Sequence, residues 1–143
     1  MVFLQKTFLE FLNGFPVVPP EAGAILGSQH NDIVSAFEFD LGFPQYGRAQ
    51  YIPNTEFLNA VISEWASTGI RFCGIAHSHP SGQDTLSSGD IEYIEHIMRA
   101  MPESIKQLYF PLVFPGENMV SFVATIVKDG TVKIEPDHII IID

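Results

Sequence analysis

The stretch Ile70–His77 is β-branched and apolar, and a polar Pro/Ser/Gly loop follows it, so it reads as a buried strand. The segments around it decide what it can be buried in. Asn54 or Thr55 caps a run to about Ser67 that places Phe57, Leu58, Val61, Ile62 and Trp65 on one helical face, with Gly69 just past its end. A second run begins at Ser87 and repeats Ile91, Ile94, Ile97 and Met98 at helical spacing as far as Pro102. Near the start, Phe3, Leu4, Phe8, Leu9, Phe11 and Leu12 predict an amphipathic helix over residues 3–13, stopped by Gly14 and Pro16.

The remaining segments read as strands and turns. Ala22–Ser28 and Ile33–Phe39 form a hairpin about His30-Asn31-Asp32. Val17-Val18-Pro19-Pro20 is extended, because residues before proline avoid the helical region. Residues 40–53, with Gly42, Pro44, Gly47 and Pro53, read as a loop. Strands are predicted at Gln107–Phe114, Met119–Val127, Thr131–Ile134 and His138–Ile142, with Pro111 requiring an edge or a bulge. Hairpins and helical crossovers occur together, so the fold class is α/β, a mixed sheet covered by helices. No repeat, linker or low-complexity tract divides the chain, so residues 1–143 are expected to form one domain.

Composition removes several function classes. Seven Lys and Arg against 17 Asp and Glu give 7 − 17 = −10, a charge that repels nucleic acid and anionic lipid alike. The lone Cys73 excludes an intramolecular disulfide and an all-thiolate zinc site. The apolar N-terminus is interrupted by Lys6 and Glu10 and lacks the basic start and cleavage site of a signal peptide. No apolar run approaches the roughly 20 residues of a membrane helix. A soluble, cytoplasmic protein is expected.

The chemistry concentrates in residues 76–90. His77 and His79 lie two apart at a strand end, so their side chains share a face with Cα atoms roughly 6.5–7 Å apart. Both imidazoles can converge on one metal ion, although such a pair alone also suits a partly exposed strand end. Asp90, eleven residues on and in the first turn of a helix, can return to the strand end as a third ligand. Two neutral histidines and one carboxylate leave zinc with a fourth position open, the makeup of a catalytic site. Ser87-x-x-Asp90 also reads as a capping box, and a carboxylate that ligates metal is expected not to reach the cap amide fully. Hydrolysis needs a base, for which Glu21 is the candidate, although on the local sequence alone it reads better as a solvated acid in the Pro19-Pro20 turn.

Glu21 before a Gly/Ile/Leu strand, then His77-Ser78-His79-Pro80, seven residues to Ser87 and two more before Asp90, resembles the JAMM motif of the MPN-type (JAB-domain) metallopeptidases. Glu-x-Gly-x-x-Leu-Gly at Glu21 is similar to the prokaryotic members. The resemblance covers about residues 1–127. It implies a central curved mixed sheet flanked by helices, similar to cytidine deaminases. It implies zinc held by His77, His79 and Asp90, with Glu21 as the acid/base and Ser87 donating a hydrogen bond to the metal water and the tetrahedral oxyanion. The implied reaction is isopeptide or peptide cleavage after the C-terminal Gly-Gly of a ubiquitin-like or sulfur-carrier protein. The chain has little room for the insertions that set linkage in deubiquitinases; Leu41–Pro53 suits a small first one. Ser78 stands where the RadC-like branch often has Asn, which favours the peptidase branch. A non-catalytic MPN scaffold and a RadC-like protein of DNA metabolism are the alternatives; the first usually lacks motif residues, and the negative charge argues against the second.

Other suggestive residues have plainer readings. Alternation places Cys73 on the face of His77 but roughly 13 Å along the strand, so it is expected to be a small buried hydrophobe. His96 points to another helix face, His30 belongs to the hairpin turn and His138 to the last strand. Asp84 reads as a solvated loop acid and Trp65 as core. Ile139–Ile142 reads as a buried strand or a docking edge.

Overall fold

The structure is a computed structural model that describes residues 1–43 and 50–143. Its elements are β1 (Val2–Leu4), α1 (Gln5–Gly14), β2 (Gly23–His30), β3 (Ile33–Asp40), α2 (Thr55–Ser67), β4 (Arg71–Ser78) and α3 (Ser88–Ala100). They are followed by β5 (Gln107–Tyr109), β6 (Leu112–Phe114), β7 (Asn118–Ile126), β8 (Val132–Asp137) and β9 (Ile140–Ile142).

Buried from Phe72 to Ser78, β4 runs through the middle of a mixed sheet. It pairs antiparallel with β2 and parallel with β5 and β6. The strand order is β5-β7-β6-β4-β2-β3-β1-β9, with β8 added to β7. One face packs on α1 through Phe3, Phe11, Leu12, Ala24, Leu26 and Ala76. The other packs on α2 and α3 through Ile25, Leu58, Trp65, Ile75, Ile94 and Met98. This is the α/β fold expected, a single mixed sheet flanked by helices.

Both helices beyond the hairpin start at their sequence-predicted caps, because each cap side chain satisfies a backbone donor of the first turn. The Asn54 carbonyl oxygen accepts from the Phe57 N–H at 3.2 Å, and Ser87 does the same for Asp90 at 3.0 Å. The β2–β3 hairpin turns through Asn31 and Asp32 at φ 52° and 59°, a left-handed pair that tolerates these residue types.

Four expectations are corrected. Residues 2–4 form a strand rather than the start of a helix, pairing in parallel with β3 and β9; three residues are too few to show a period, and Phe3 is fully buried there. Pro111 splits one long strand into β5 and β6 between β4 and β7; its carbonyl still accepts from the His77 N–H at 3.1 Å, and the register keeps step on both sides (Tyr109↔Val123 and Leu112↔Val120), so it stands neither at an edge nor in a bulge. β8 extends to Asp137, which leaves His138 between strands. Between Leu26↔Gly74 and Gly27↔Phe72 the register slips, so the extra residue, Cys73, turns to the α1 face and away from His77. Burial pushes its thiol up to about 12, in keeping with an inert core position.

The all-Ile end is an exposed edge and not a buried strand: Ile140, Ile141 and Ile142 are 54%, 45% and 37% accessible. Of the loop predicted at 40–53, residues 44–49 lie outside the described residues. Among the described residues no helix is long and apolar enough to cross a membrane.

Candidate metal centre

The backbone after β4 is held alternately from two sides. His77 and His79 donate their N–H groups to Pro111 and Val113 beside β6, while Ser78 donates to the Ala22 carbonyl before β2. Ser78 Oγ accepts in return from the Ala22 N–H at 2.9 Å, which ties the residue after Glu21 to the histidine strand. Alternation then sends both imidazoles to the α3 side of the sheet. Their Nε2 atoms lie 3.0 Å apart, and both residues are almost wholly buried.

The first turn of α3 brings Asp90 to the same point. Its Oδ1 lies 3.1 Å from His77 Nε2 and its Oδ2 3.0 Å from His79 Nε2. The same Oδ2 accepts from the Ser87 N–H at 2.9 Å, closing the capping box. Capping and convergence on the histidines therefore coexist, contrary to the expectation that they compete. The carboxylate has enough lone pairs for both, and the cap fixes its orientation. Ser87 Oγ serves as the acceptor of that box, and its own hydrogen is not used by it.

Glu21 is half-buried. One of its carboxylate oxygens and one ring nitrogen from each of His77 and His79 lie within 4.8 Å of one another. A cleft of about 400 Å³ opens beside Glu21 and His79, walled by Val17, Val18, Pro80, Phe114 and Pro115. All five residues singled out by the motif thus lie at one end of the sheet. His30, Asp84, His96 and His138 are exposed.

The proton inventory shows what this cluster lacks. His79 Nδ1 lies 2.8 Å from the Gln83 carbonyl, which only accepts, so Nδ1 carries the hydrogen and neutral His79 offers a lone pair at Nε2. That lone pair faces His77 Nε2 and a carboxylate; with the His77 hydrogen on Nδ1 toward the Tyr93 oxygen, three acceptors meet at one point, an arrangement that a cation satisfies. The pKa directions express the same demand. Burial works against charged His79, yet its hydrogen bonds with Asp90 and the Gln83 carbonyl raise its pKa overall. Burial likewise works against ionised Asp90, but the hydrogen bonds with His77 and His79 hold its carboxyl well below the usual range.

A divalent cation meets this demand without protonating the rings. Two imidazole nitrogens with carboxylate oxygens form a zinc-type donor set. Donors about 2.0–2.1 Å from one tetrahedral ion stand about 3.3 Å apart, close to the separations present here. The residues fit the ion.

Two tyrosines complete the surroundings, and the sequence reading passed over both. Tyr93 OH lies 2.9 Å from His77 Nδ1. It follows Asp90 by three residues and so shares its helix face, a signal legible in the spacing. Tyr51 stacks on His77 with centroids 6.1 Å apart at 16°. It comes from a segment with no periodicity to announce it. A Cβ at position 23 would stand 2.1 Å from the Tyr51 ring, so Gly23 is what lets the ring sit there. Burial first, then Asp40, pushes the Tyr51 phenol far up, keeping it a donor.

No protein-family model matches the chain, and no curated protein matches it. Solved structures do. A protein from Desulfitobacterium hafniense is 20% identical at a TM-score of 0.62, the match covering 100% of this chain and 94% of that one. A protein from Salinibacter ruber is 17% identical at 0.56, covering 100% and 92%. A JAB1/MPN domain protein from Archaeoglobus fulgidus is 17% identical at 0.45, covering 99% and 98%, a superposition too loose to carry an argument. The chain shares its overall fold with the first two.

Proposed function

We propose that residues 1–143 form one JAMM-type zinc peptidase domain, cytoplasmic, that cleaves after the C-terminal Gly-Gly of a ubiquitin-like or sulfur-carrier protein. One observation carries the proposal: His77 Nε2, His79 Nε2 and both Asp90 oxygens converge at 3.0–3.1 Å, with the Glu21 carboxylate alongside. His77, His79 and Asp90 would hold the ion. Bound zinc supplies Lewis acidity toward a carbonyl oxygen and lowers the pKa of water.

The protein's own groups do the rest. Glu21 takes a proton from the attacking water as the water oxygen bonds to the carbonyl carbon. It then delivers that proton to the amine as the carbon–nitrogen bond breaks. The Ser87 hydroxyl hydrogen is left to donate to the developing oxyanion. Gln83 and Tyr93 hold the two imidazoles by their outer nitrogens, so that both Nε2 atoms face inward. A glycine tail suits an approach over this closely packed ground, because it brings no side chains.

The test pairs metal content with turnover. Purified protein is expected to carry about one zinc per chain and to cleave a Gly-Gly-tailed fusion. A His77→Ala/Asp90→Ala double variant is expected to do neither. Full zinc occupancy in that variant overturns the ligand set. A zinc-loaded wild type that cleaves no such fusion overturns the substrate class and leaves a non-catalytic binding module.

A further inference from the structure

The carboxylate of Asp40, at the end of β3, is 4% exposed and, among the described residues, faces no cation. It is satisfied by three donors instead. Tyr51 OH donates to Oδ2 at 2.7 Å, the Asn54 N–H to Oδ2 at 3.0 Å, and the Gly42 N–H to Oδ1 at 2.8 Å. Gly42 and Asn54 stand on either side of the segment joining β3 to α2, and the Phe43 N–H donates to the Ile52 carbonyl at 3.0 Å. One carboxylate therefore gathers both ends of that segment and the buried Tyr51.

Tyr51 touches the candidate centre at two points. Its ring lies nearly parallel to His77, with Gly23 behind it and Tyr93 set edge-on at 6.5 Å. Its backbone N–H points at Glu21 Oε1 from 3.5 Å, the outer limit of such a contact. A shift of the Tyr51 backbone would carry its ring from the imidazole plane and its amide from Glu21 together.

We propose that Asp40 is a positioning residue for the centre, acting through Tyr51 to fix the plane of His77 and the carboxylate of Glu21. This rests on the reading of His77, His79 and Asp90 as metal ligands. A mere loop staple would give Asp40 the same hydrogen bonds, but its loss would lower stability and leave the ligands alone. The two roles separate on the metal.

The test uses Asp40→Asn and Tyr51→Phe, both close in volume to the native residues, with Co²⁺ as a visible probe of ligand geometry. Folding is confirmed by circular dichroism. Asp40→Asn places an NH₂ group among three donors, and Tyr51→Phe removes one hydrogen bond while keeping the ring. Both are expected to weaken Co²⁺ binding about 10-fold, the low end for groups that orient ligands, and to alter its d–d absorption. Both should also lower kcat on a Gly-Gly-tailed fusion with KM little changed. Variants that melt lower but bind Co²⁺ with the wild-type affinity and spectrum overturn the proposal and leave the metal centre standing. A wild type that binds no Co²⁺ overturns the metal-centre reading itself, and with it anything to position.

Discussion

Tyr93 and Asp90 grip opposite edges of one imidazole: the phenol lies 2.9 Å from His77 Nδ1, and the carboxylate lies 3.1 Å from His77 Nε2. Both come from a single turn of α3, so the helix that brings Asp90 to the centre also orients His77. Tyr93→Phe removes only the oxygen. A group that orients a metal ligand typically contributes 10–100-fold to affinity, and a loss of about that size is expected for zinc. Competition with a chromophoric chelator measures it. Unchanged affinity in a folded Tyr93→Phe protein would reduce the tyrosine to packing.

The pH dependence of stability changes sign with the metal. Without an ion, His79 holds its proton more tightly in the fold than at its ordinary value of 6.5. That contribution is complete below 6.5 and is lost as pH rises through the raised folded value. Asp90 behaves oppositely. Its carboxyl lies well below the ordinary 3.8, so its contribution is complete above 3.8 and is lost as pH falls through the depressed value. Between those two ordinary values both contributions are complete. With zinc present, ion and proton compete for the same nitrogen, so the stabilisation by zinc grows over the rise that weakens the metal-free form. Melting temperatures with chelator and with zinc should diverge from mildly acidic to mildly alkaline pH. Parallel curves would separate His79 from the metal.

Glu21 is assigned the proton transfers because its carboxylate borders both the histidines and the cleft. Glu21→Gln keeps the shape and removes the base. Zinc content should stay at the wild-type level while turnover falls about 10²–10⁴-fold. Loss of zinc in Glu21→Gln would instead make Glu21 a ligand. Near-normal kcat would place the base elsewhere.

How far the sequence reaches is visible in particular residues. α2 and α3 begin where expected, because Asn54 and Ser87 carry their signal in the cap itself. Four of the motif residues gather because their spacing encodes strand alternation and one loop return, whereas Glu21 arrives through the pairing of β2 with β4. What escaped depends on register and long-range packing. Cys73 faces α1 because a bulge against β2 inserts one residue, and alternation counted along a single strand cannot sense its neighbour. Residues 2–4 become a strand because β3 and β9 come to flank them. Asp40 and Tyr51 lie eleven residues apart with no period between them, so only the fold makes them partners.

Ser87 bears two roles that give different numbers. Its Oγ accepts from the Asp90 N–H at 3.0 Å, so Ser87→Ala should cost about 1 kcal/mol of stability as a lost cap. Its hydroxyl hydrogen is not used by the cap, and the residue is exposed. As an oxyanion donor it should contribute about 10²–10³ to kcat. The two effects are coupled through Asp90, whose Oδ2 accepts from the Ser87 N–H and also faces His79. Alanine keeps that N–H, so the carboxylate stays oriented, and zinc content should hold while stability and kcat both fall. Thermal melting, zinc content and kcat of Ser87→Ala on one Gly-Gly-tailed substrate separate the cases. A destabilised variant with full zinc and unchanged kcat would leave Ser87 as the cap of α3 and nothing more.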